Sequence, residues 1–283
     1  MELVYANDSY RLGNTEIDFR KETIIMGIVN VTPDSFSDGG KYGRVDAALK
    51  HAEEMIRDGA KIIDVGGEST RPGHAPVSYE EELERTMPII EAITRELSCA
   101  VSIDTYKAGV AEEAMKAGAH IINDVWGAKR EPEIAKVAAA YGAPIILMHN
   151  REVAEYERPL MQEVVTDLEA SIEIALAAGV RRENIWLDPG IGFAKDTVEN
   201  IVVMQGLQKI TDMGYPHLLG TSKKSLIGNV LGLPVAERLE GTSATVCYGI
   251  ERGCHIIRVH DVKEIVRAAR MMDVLTGKTI YRG

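Results

Sequence analysis

Gly59-Ala60-Lys61-Ile62-Ile63, Gly118-Ala119-His120-Ile121-Ile122, Gly142-Ala143-Pro144-Ile145-Ile146 and Gly253-Cys254-His255-Ile256-Ile257 are one phrase repeated along the chain. Each copy follows a stretch of helical periodicity and leads toward a polar residue. A glycine at a helix end adopts a left-handed conformation at little cost, and the aliphatic pair behind it suits a short strand buried on both faces. A parallel sheet is written this way. Working outward, strands are expected at 23–30, 61–65, 100–104, 120–124, 144–149, 184–188, 217–221 and 255–259. Between them lie amphipathic stretches such as 45–58 and 79–96, with Ala48, Ala52, Met55 and Ile56 at helical spacing. Strict β/α alternation over this length predicts an α/β chain folded as a (β/α)8 TIM barrel, with a doubly wound sheet as second choice. Residues 1–22 fit neither unit; their Gly13-Asn14 pair predicts a short N-terminal β-hairpin closing the barrel floor.

The 283 residues contain 45% hydrophobic and 27% charged side chains, ordinary values for a soluble globular chain. No Pro/Gly/Ser linker breaks the alternation, so the reading is a single domain over 1–283. Thirty-two Lys and Arg against 43 Asp and Glu leave a net charge of −11, with no basic run. That balance argues against nucleic acid and anionic lipid as partners. Cys99, Cys247 and Cys254 have no C-x-x-C spacing, and the apolar runs are too short for a membrane span. Glu2 and Asp8 are wrong for a secretory or transit peptide, so the cytoplasm is expected, and Asn7-Asp8-Ser9 and Asn30-Val31-Thr32 are read as chance matches to a glycosylation triplet.

Barrel enzymes place their chemistry where the strands end. The polar residues there are Asn30, Asp64 with Glu68, Asp104, Asn123 with Asp124, His149 with Asn150, Asp188, Thr221 to Lys224, and Arg258 with His260. Any one of them could simply cap a loop or a helix, but every strand contributes at least one. Side chains two apart share a face. Asp104 goes with Ser102, Asn123 with Ile121, Met148 with Ile146, Asp188 with Trp186, and Arg258 with His260, while Asp124 and His149 point toward the helices. With Asn123 and Arg258 inward, the mouth collects carboxylates, amides and cations, which suits a donor-rich heterocycle carrying an anionic group.

The loops complete a signature. Met26-Gly27-Ile28-Val29-Asn30-Val31-Thr32-Pro33-Asp34-Ser35-Phe36-Ser37-Asp38-Gly39-Gly40 and Gly66-Gly67-Glu68-Ser69-Thr70-Arg71-Pro72-Gly73 resemble the two signature segments of the dihydropteroate synthase family. So do Ser102-Ile103-Asp104-Thr105, Ile122-Asn123-Asp124, Leu187-Asp188-Pro189-Gly190-Ile191-Gly192-Phe193, Gly220-Thr221-Ser222-Lys223-Lys224-Ser225 and Arg258-Val259-His260-Asp261, in order along nearly the whole chain.

The resemblance implies an enzyme, a transferase that joins p-aminobenzoate to 6-hydroxymethyl-7,8-dihydropterin pyrophosphate, releasing pyrophosphate on the route to folate. It assigns the pterin to Asp104, Asn123, Met148, Asp188, Phe193 and Lys224, the pyrophosphate to Asn30, Arg258 and His260, and Mg²⁺ to Asn30 with phosphate oxygens. It assigns p-aminobenzoate to Phe36, Thr70, Arg71, Pro72, Lys224 and Ser225. Asn30, Asp38, Lys224, Arg258 and His260 form its catalytic set, with Asp38 given either to the pterin methylene cation or to ordering the first loop. The family also implies a homodimer. Chemistry is consistent with these roles: a carboxylate accepts the pterin's paired N–H donors, and a guanidinium fork meets phosphate oxygens bidentately. The residue before Lys224 is Lys223, where the family more often has Arg, so an ion pair or stacking made by that residue is the point of departure. A methyltetrahydrofolate-dependent methyltransferase would share Asp188 and Asn123 but lack the 30–40 and 69–73 loops and the Lys223-Lys224-Ser225 element. A catalytically silent pterin-binding barrel would have no use for both a pyrophosphate pocket and the p-aminobenzoate loops.

Overall fold

A computed structural model describes residues 9–31, 40–68 and 76–281. The chain opens with a hairpin, β1 (Ser9–Leu12) and β2 (Thr15–Asp18), and enters the barrel through β3 (Ile24–Asn30). There follow α1 (Gly40–Asp58), β4 (Ile62–Gly66), α2 (Tyr79–Glu96), β5 (Ala100–Asp104), α3 (Ala108–Lys116), β6 (Ile121–Asp124), α4 (Glu133–Tyr141), β7 (Ile145–Met148) and α5 (Leu160–Ala177). The last part comprises β8 (Ile185–Asp188), α6 (Thr197–Gln205), α7 (Leu207–Thr211), β9 (Leu218–Leu219), α8 (Ser225–Leu231), α9 (Leu239–Glu251), β10 (Ile256–Val259) and α10 (Val262–Leu275). Strands β3 to β10 form one parallel sheet of eight in the order β8-β7-β6-β5-β4-β3-β10-β9. A parallel bridge from Leu187 to His217 joins the two edges, backed by the Leu187 amide donating to the Pro216 carbonyl at 2.9 Å. The expected TIM barrel is what forms.

The repeated phrase behaves as its composition demands. Gly59, Gly118, Gly142 and Gly253 all have positive φ. At the end of α4, Gly142 is left-handed with its amide returned to the Ala138 and Ala139 carbonyls, so the helix stops and the chain turns directly into β7. Two expected boundaries move by more than one residue. The 217–221 strand shrinks to Leu218–Leu219, because Gly220 ends the pairing and the chain turns through Lys223 at φ 57°. The helix expected at 45–58 begins earlier, at Gly40.

Alternation divides the interior into two cores. Ile25, Ile63, Val101, Ile122, Ile145, Ile185, Leu219 and Ile257 face outward and pack beneath the helices. Their neighbours Ile24, Ile62, Ala100, Ile121, Ile146, Trp186, Leu218 and Ile256 face inward and fill the lower barrel. The hairpin stoppers that end with Tyr10, Leu12 and Ile17, followed by Phe19. Tyr10 and Phe19 meet the buried Trp186 ring edge-on at 5.2 and 5.5 Å. Thr23, at the threshold of β3, donates through its amide and hydroxyl to Asp273 of α10 at 2.8 and 2.6 Å, pinning the first barrel strand to the last helix. With the floor filled by these rings and aliphatic side chains, the polar strand-end residues of the lumen gather at the opposite end.

The floor also buries two imidazoles, His217 and His255, edge to face at 5.3 Å. Burial, with Lys278 nearby, holds His217 down to about 4 from an ordinary 6.5. Between those values the unfolded chain binds the extra proton, so stability present above pH 6.5 is lost as the pH falls toward 4. In urea unfolding from pH 7 to 4.5, His217→Leu should show a shallower loss than wild type, by up to about 1.4 kcal/mol per pH unit. Parallel pH slopes for the two proteins would refute the assignment.

Candidate functional site

The inward face that carries the floor residues carries the site two positions later. Ile62 leads to Asp64, Ser102 to Asp104, Ile121 to Asn123, Ile146 to Met148, Trp186 to Asp188 and Ile256 to Arg258, and the period of a strand stacks them into one ring at the barrel mouth. Arg258 bridges two of its members. Its Nε donates to Asp64 Oδ2 at 2.6 Å and its Nη2 to Asp104 Oδ2 at 2.7 Å. Asn123 Nδ2 donates to the same Asp64 oxygen at 3.1 Å. Asp261, three residues beyond Arg258, pairs instead with Lys223 at 2.7 Å. Lysine at 223 therefore makes an ion pair without a guanidinium.

The charges in this ring are out of water. Burial pushes the Asp104 carboxyl up, Arg258 opposes that, and Asp64 adds to it by like-charge repulsion. Burial also lowers Arg258, but Asp64 and Asp104 outweigh it and hold the guanidinium above its usual range. Asp104 Oδ1, Asp64 Oδ1 and Ser102 Oγ are buried without a hydrogen-bond partner among the described residues. Orphaned acceptors in a concave mouth are what a donor-bearing ligand would satisfy.

On the opposite wall, Asp188 Oδ1 accepts the Gly190 amide at 2.7 Å, so the turn at Pro189-Gly190 does use this carboxylate, through one oxygen. Burial raises Asp188, with Lys224 as the strongest opposing charge. Lys224 precedes α8, donates to the Ile191 carbonyl, and holds its ammonium 4.8 Å from the centre of the Phe193 ring. Burial brings it down to about 8, with Asp188 resisting. Met148 is buried beside Asp188 in the adjacent strand. Ser225 is exposed as the first residue of α8.

His260 lies one residue beyond β10, its Nδ1 2.9 Å from the Ser222 hydroxyl, which ties the β10 and β9 loops together. Asn30 ends β3, half-buried, beside Gly66 of β4. It offers one neutral amide oxygen, and among the described residues no group of His, Cys, Asp or Glu is arranged to hold a metal ion. Such a donor set fits Mg²⁺ only where phosphate oxygens and water complete the octahedron. Phe36, Asp38, Thr70, Arg71 and Pro72 lie outside the described residues. The outward pair behaves as alternation requires: Asp124 caps the amides of Trp126 and Ala128 at 2.8 and 2.6 Å, and His149 faces Asp167 of α5 at 3.2 Å.

The role of Asp64 is not legible in the sequence. The signal was present in its spacing from Ile62, yet nothing in the sequence reveals that one guanidinium would take both Asp64 and Asp104. No helix among the described residues is long and apolar enough to cross a membrane.

A sequence profile described as "Pterin binding enzyme" matches residues 26–260, which runs from β3 to His260. The dihydropteroate synthase of Bacillus subtilis is 58% identical over 262 residues, covering 93% of this chain and 92% of its own. A crystal structure of dihydropteroate synthase from Clostridium difficile, determined in the presence of pteroic acid, superposes with a TM-score of 0.90 at 50% identity, covering 92% of this chain and 98% of that one. The Xanthomonas albilineans enzyme with 4-aminobenzoic acid superposes with a TM-score of 0.90 at 35% identity, over 95% and 98% of the two chains. With the same barrel, the same span and this degree of identity, the chain belongs to the dihydropteroate synthase family of pterin-binding transferases.

Proposed function

We propose that this barrel mouth joins p-aminobenzoate to 6-hydroxymethyl-7,8-dihydropterin pyrophosphate by a dissociative path. The observation that carries the proposal is the convergence of Asp188, Asn123, Lys224 and the carboxylate-bound Arg258 on one ring above a sealed floor. The pteroic acid and 4-aminobenzoic acid named with the Clostridium difficile and Xanthomonas albilineans structures support the substrate assignment.

Asp188 retains an oxygen beyond the one bound to Gly190, and a carboxylate there accepts the N–H donors on the pterin edge. Asn123 and Asp104 meet the same ring, with Met148 and Phe193 packing against it. Arg258 spends Nε and Nη2 on Asp64 and Asp104, which leaves Nη1 for a pyrophosphate oxygen, with His260 and Asn30 beside it. Mg²⁺, bound by Asn30 together with pyrophosphate oxygens, would neutralise charge on the leaving group.

The C–O bond of the pterin methylene breaks and its electron pair departs with pyrophosphate. The dihydropterin ring delocalises the resulting cation. The p-aminobenzoate nitrogen then forms the C–N bond and gives up a proton, so a strong general base is not required. The chain's part is to stabilise the departing anion and to align the amine. We assign the amine's partner acid to Phe36, Thr70, Arg71 and Pro72 of the two long loops with Lys224 and Ser225, and Asp38 to the cation or the first loop.

We further propose a homodimer. Exposed Val198 and Val202 on α6, Val230 and Leu231 on α8, and Val235 after it supply aliphatic surface on helices joined by the Asn229–Thr197 hydrogen bond. A cytoplasmic location fits the pathway and the charge.

Pyrophosphate release should require dihydropterin pyrophosphate, and dihydropteroate should form only when p-aminobenzoate and Mg²⁺ are added; no product dependent on both substrates would sink the reading. Asp188→Asn should stay folded by circular dichroism yet bind the pterin at least about 30-fold more weakly, the effect of losing about 2 kcal/mol of charge-assisted bonding. A turn cap alone predicts the reverse, lost stability with pterin affinity kept. Sedimentation should give twice the chain mass, and Leu231→Glu should halve it.

A further inference from the structure

Behind the Asp188 wall lies a buried cluster that the proposed chemistry does not use. The segment from Pro189 to Lys195 curls through three residues of positive φ, Gly190 at 69°, Gly192 at 83° and Ala194 at 46°. At Gly190 the curl is pressed so hard onto β7 that a Cβ would stand 1.9 Å from the His149 carbonyl oxygen. Ala194 has no such exemption from steric cost, and a left-handed alanine persists only where its surroundings impose it.

Lys195 supplies much of that imposition. Its ammonium reaches back into the curl and donates to the Gly190 carbonyl at 3.0 Å and the Phe193 carbonyl at 2.9 Å. Its third contact is His149 Nδ1, at 2.8 Å. An ammonium can only donate, so Nδ1 is the acceptor and the ring's proton sits on Nε2, which lies 3.2 Å from Asp167 Oδ2. Three acceptors thus surround the Lys195 nitrogen, and burial brings its ammonium down to about 7, with Asp188 resisting. Burial lowers His149 to about 4, which keeps the ring neutral and able to accept at neutral pH. Asp167 is itself anchored by Arg151 Nε at 2.6 Å.

The residues this ammonium grips are those next to the ligand. Gly190, whose carbonyl it binds, gives its amide to Asp188, and Phe193, whose carbonyl it binds, presents the ring beneath Lys224. We infer that Lys195, seated on His149 and Asp167, is a positioning residue for pterin binding: it sets the curl that aims the Asp188 carboxylate and the Phe193 ring. The inference rests on the pterin assignment above and deepens it.

The test is the dissociation constant for dihydropterin pyrophosphate by calorimetry in wild type and Lys195→Met, together with the KM for p-aminobenzoate at saturating pterin and the melting temperature. Wild type that fails to bind the pterin would remove the underlying assignment. With wild type binding, Lys195→Met should raise the pterin constant tenfold or more while the KM for p-aminobenzoate stays within twofold. A folded variant whose pterin constant stays within twofold of wild type, or whose two constants rise together, overturns the positioning role. If Lys195→Met does not fold, His149→Leu, which withdraws one acceptor and leaves the two loop bonds, should raise the pterin constant threefold or more, and an unchanged constant overturns the inference.

Discussion

A guanidinium held between two buried carboxylates governs the upper half of this barrel. Arg258 from β10 reaches across β3 to Asp64 of β4 and Asp104 of β5, so one side chain braces consecutive strands from inside. Removing Arg258 would strand two carboxylates in a low-dielectric mouth, where breaking a comparable buried pair costs about 3–5 kcal/mol, whereas removing one carboxylate would leave the other still paired. The same balance recurs across the ring, where Asp188 faces Lys224. The mouth is therefore a lattice of opposed charges, three carboxylates and two cations, that is incompletely bonded. Its acceptor side retains open oxygens on Asp64 and Asp104, and those unmet acceptors are what the N–H donors of a pterin edge can complete.

The whole-chain charge of −11 carries no information about this arrangement. Acidic residues dominate the sum because helices such as α2 carry Glu80, Glu81 and Glu82 in their first turn. The cations that matter sit on strand ends and short loops, where a few of them act at close range in a poorly screened site. A net sum speaks to large, diffuse partners; an anionic small molecule meets only the local field.

The barrel was legible because its grammar is local. Glycine, a small residue and an aliphatic pair are enough to announce a helix end and a strand, and period-two alternation then says which side chains share the lumen. Asp104, Asn123, Asp188 and Arg258 could be grouped on that ground before any coordinate was known. What could not be read was pairing through space. Nothing in the spacing of Arg258 distinguishes Asp261, three residues away, from Asp64, across the ring, and Lys195 looks like any lysine before a helix N-cap until its loop is seen to curl back on it. The 217–221 segment has the aliphatic composition of a strand, but Gly220 and the left-handed Lys223 divert it after two residues.

That abbreviated strand has a mechanical consequence. Backbone ladders stiffen a sheet in proportion to their length, and the ring's joint between β8 and β9 rests on a single bridge and one amide to Pro216. The long pairings of β3, β4 and β5 lie under Arg258, Asp64 and Asp104. The two walls are thus built unequally: the arginine wall stands on long backbone ladders, and the lysine wall, continuing from β9 through Gly220 to Lys224, stands on a strand whose pairing stops after two residues.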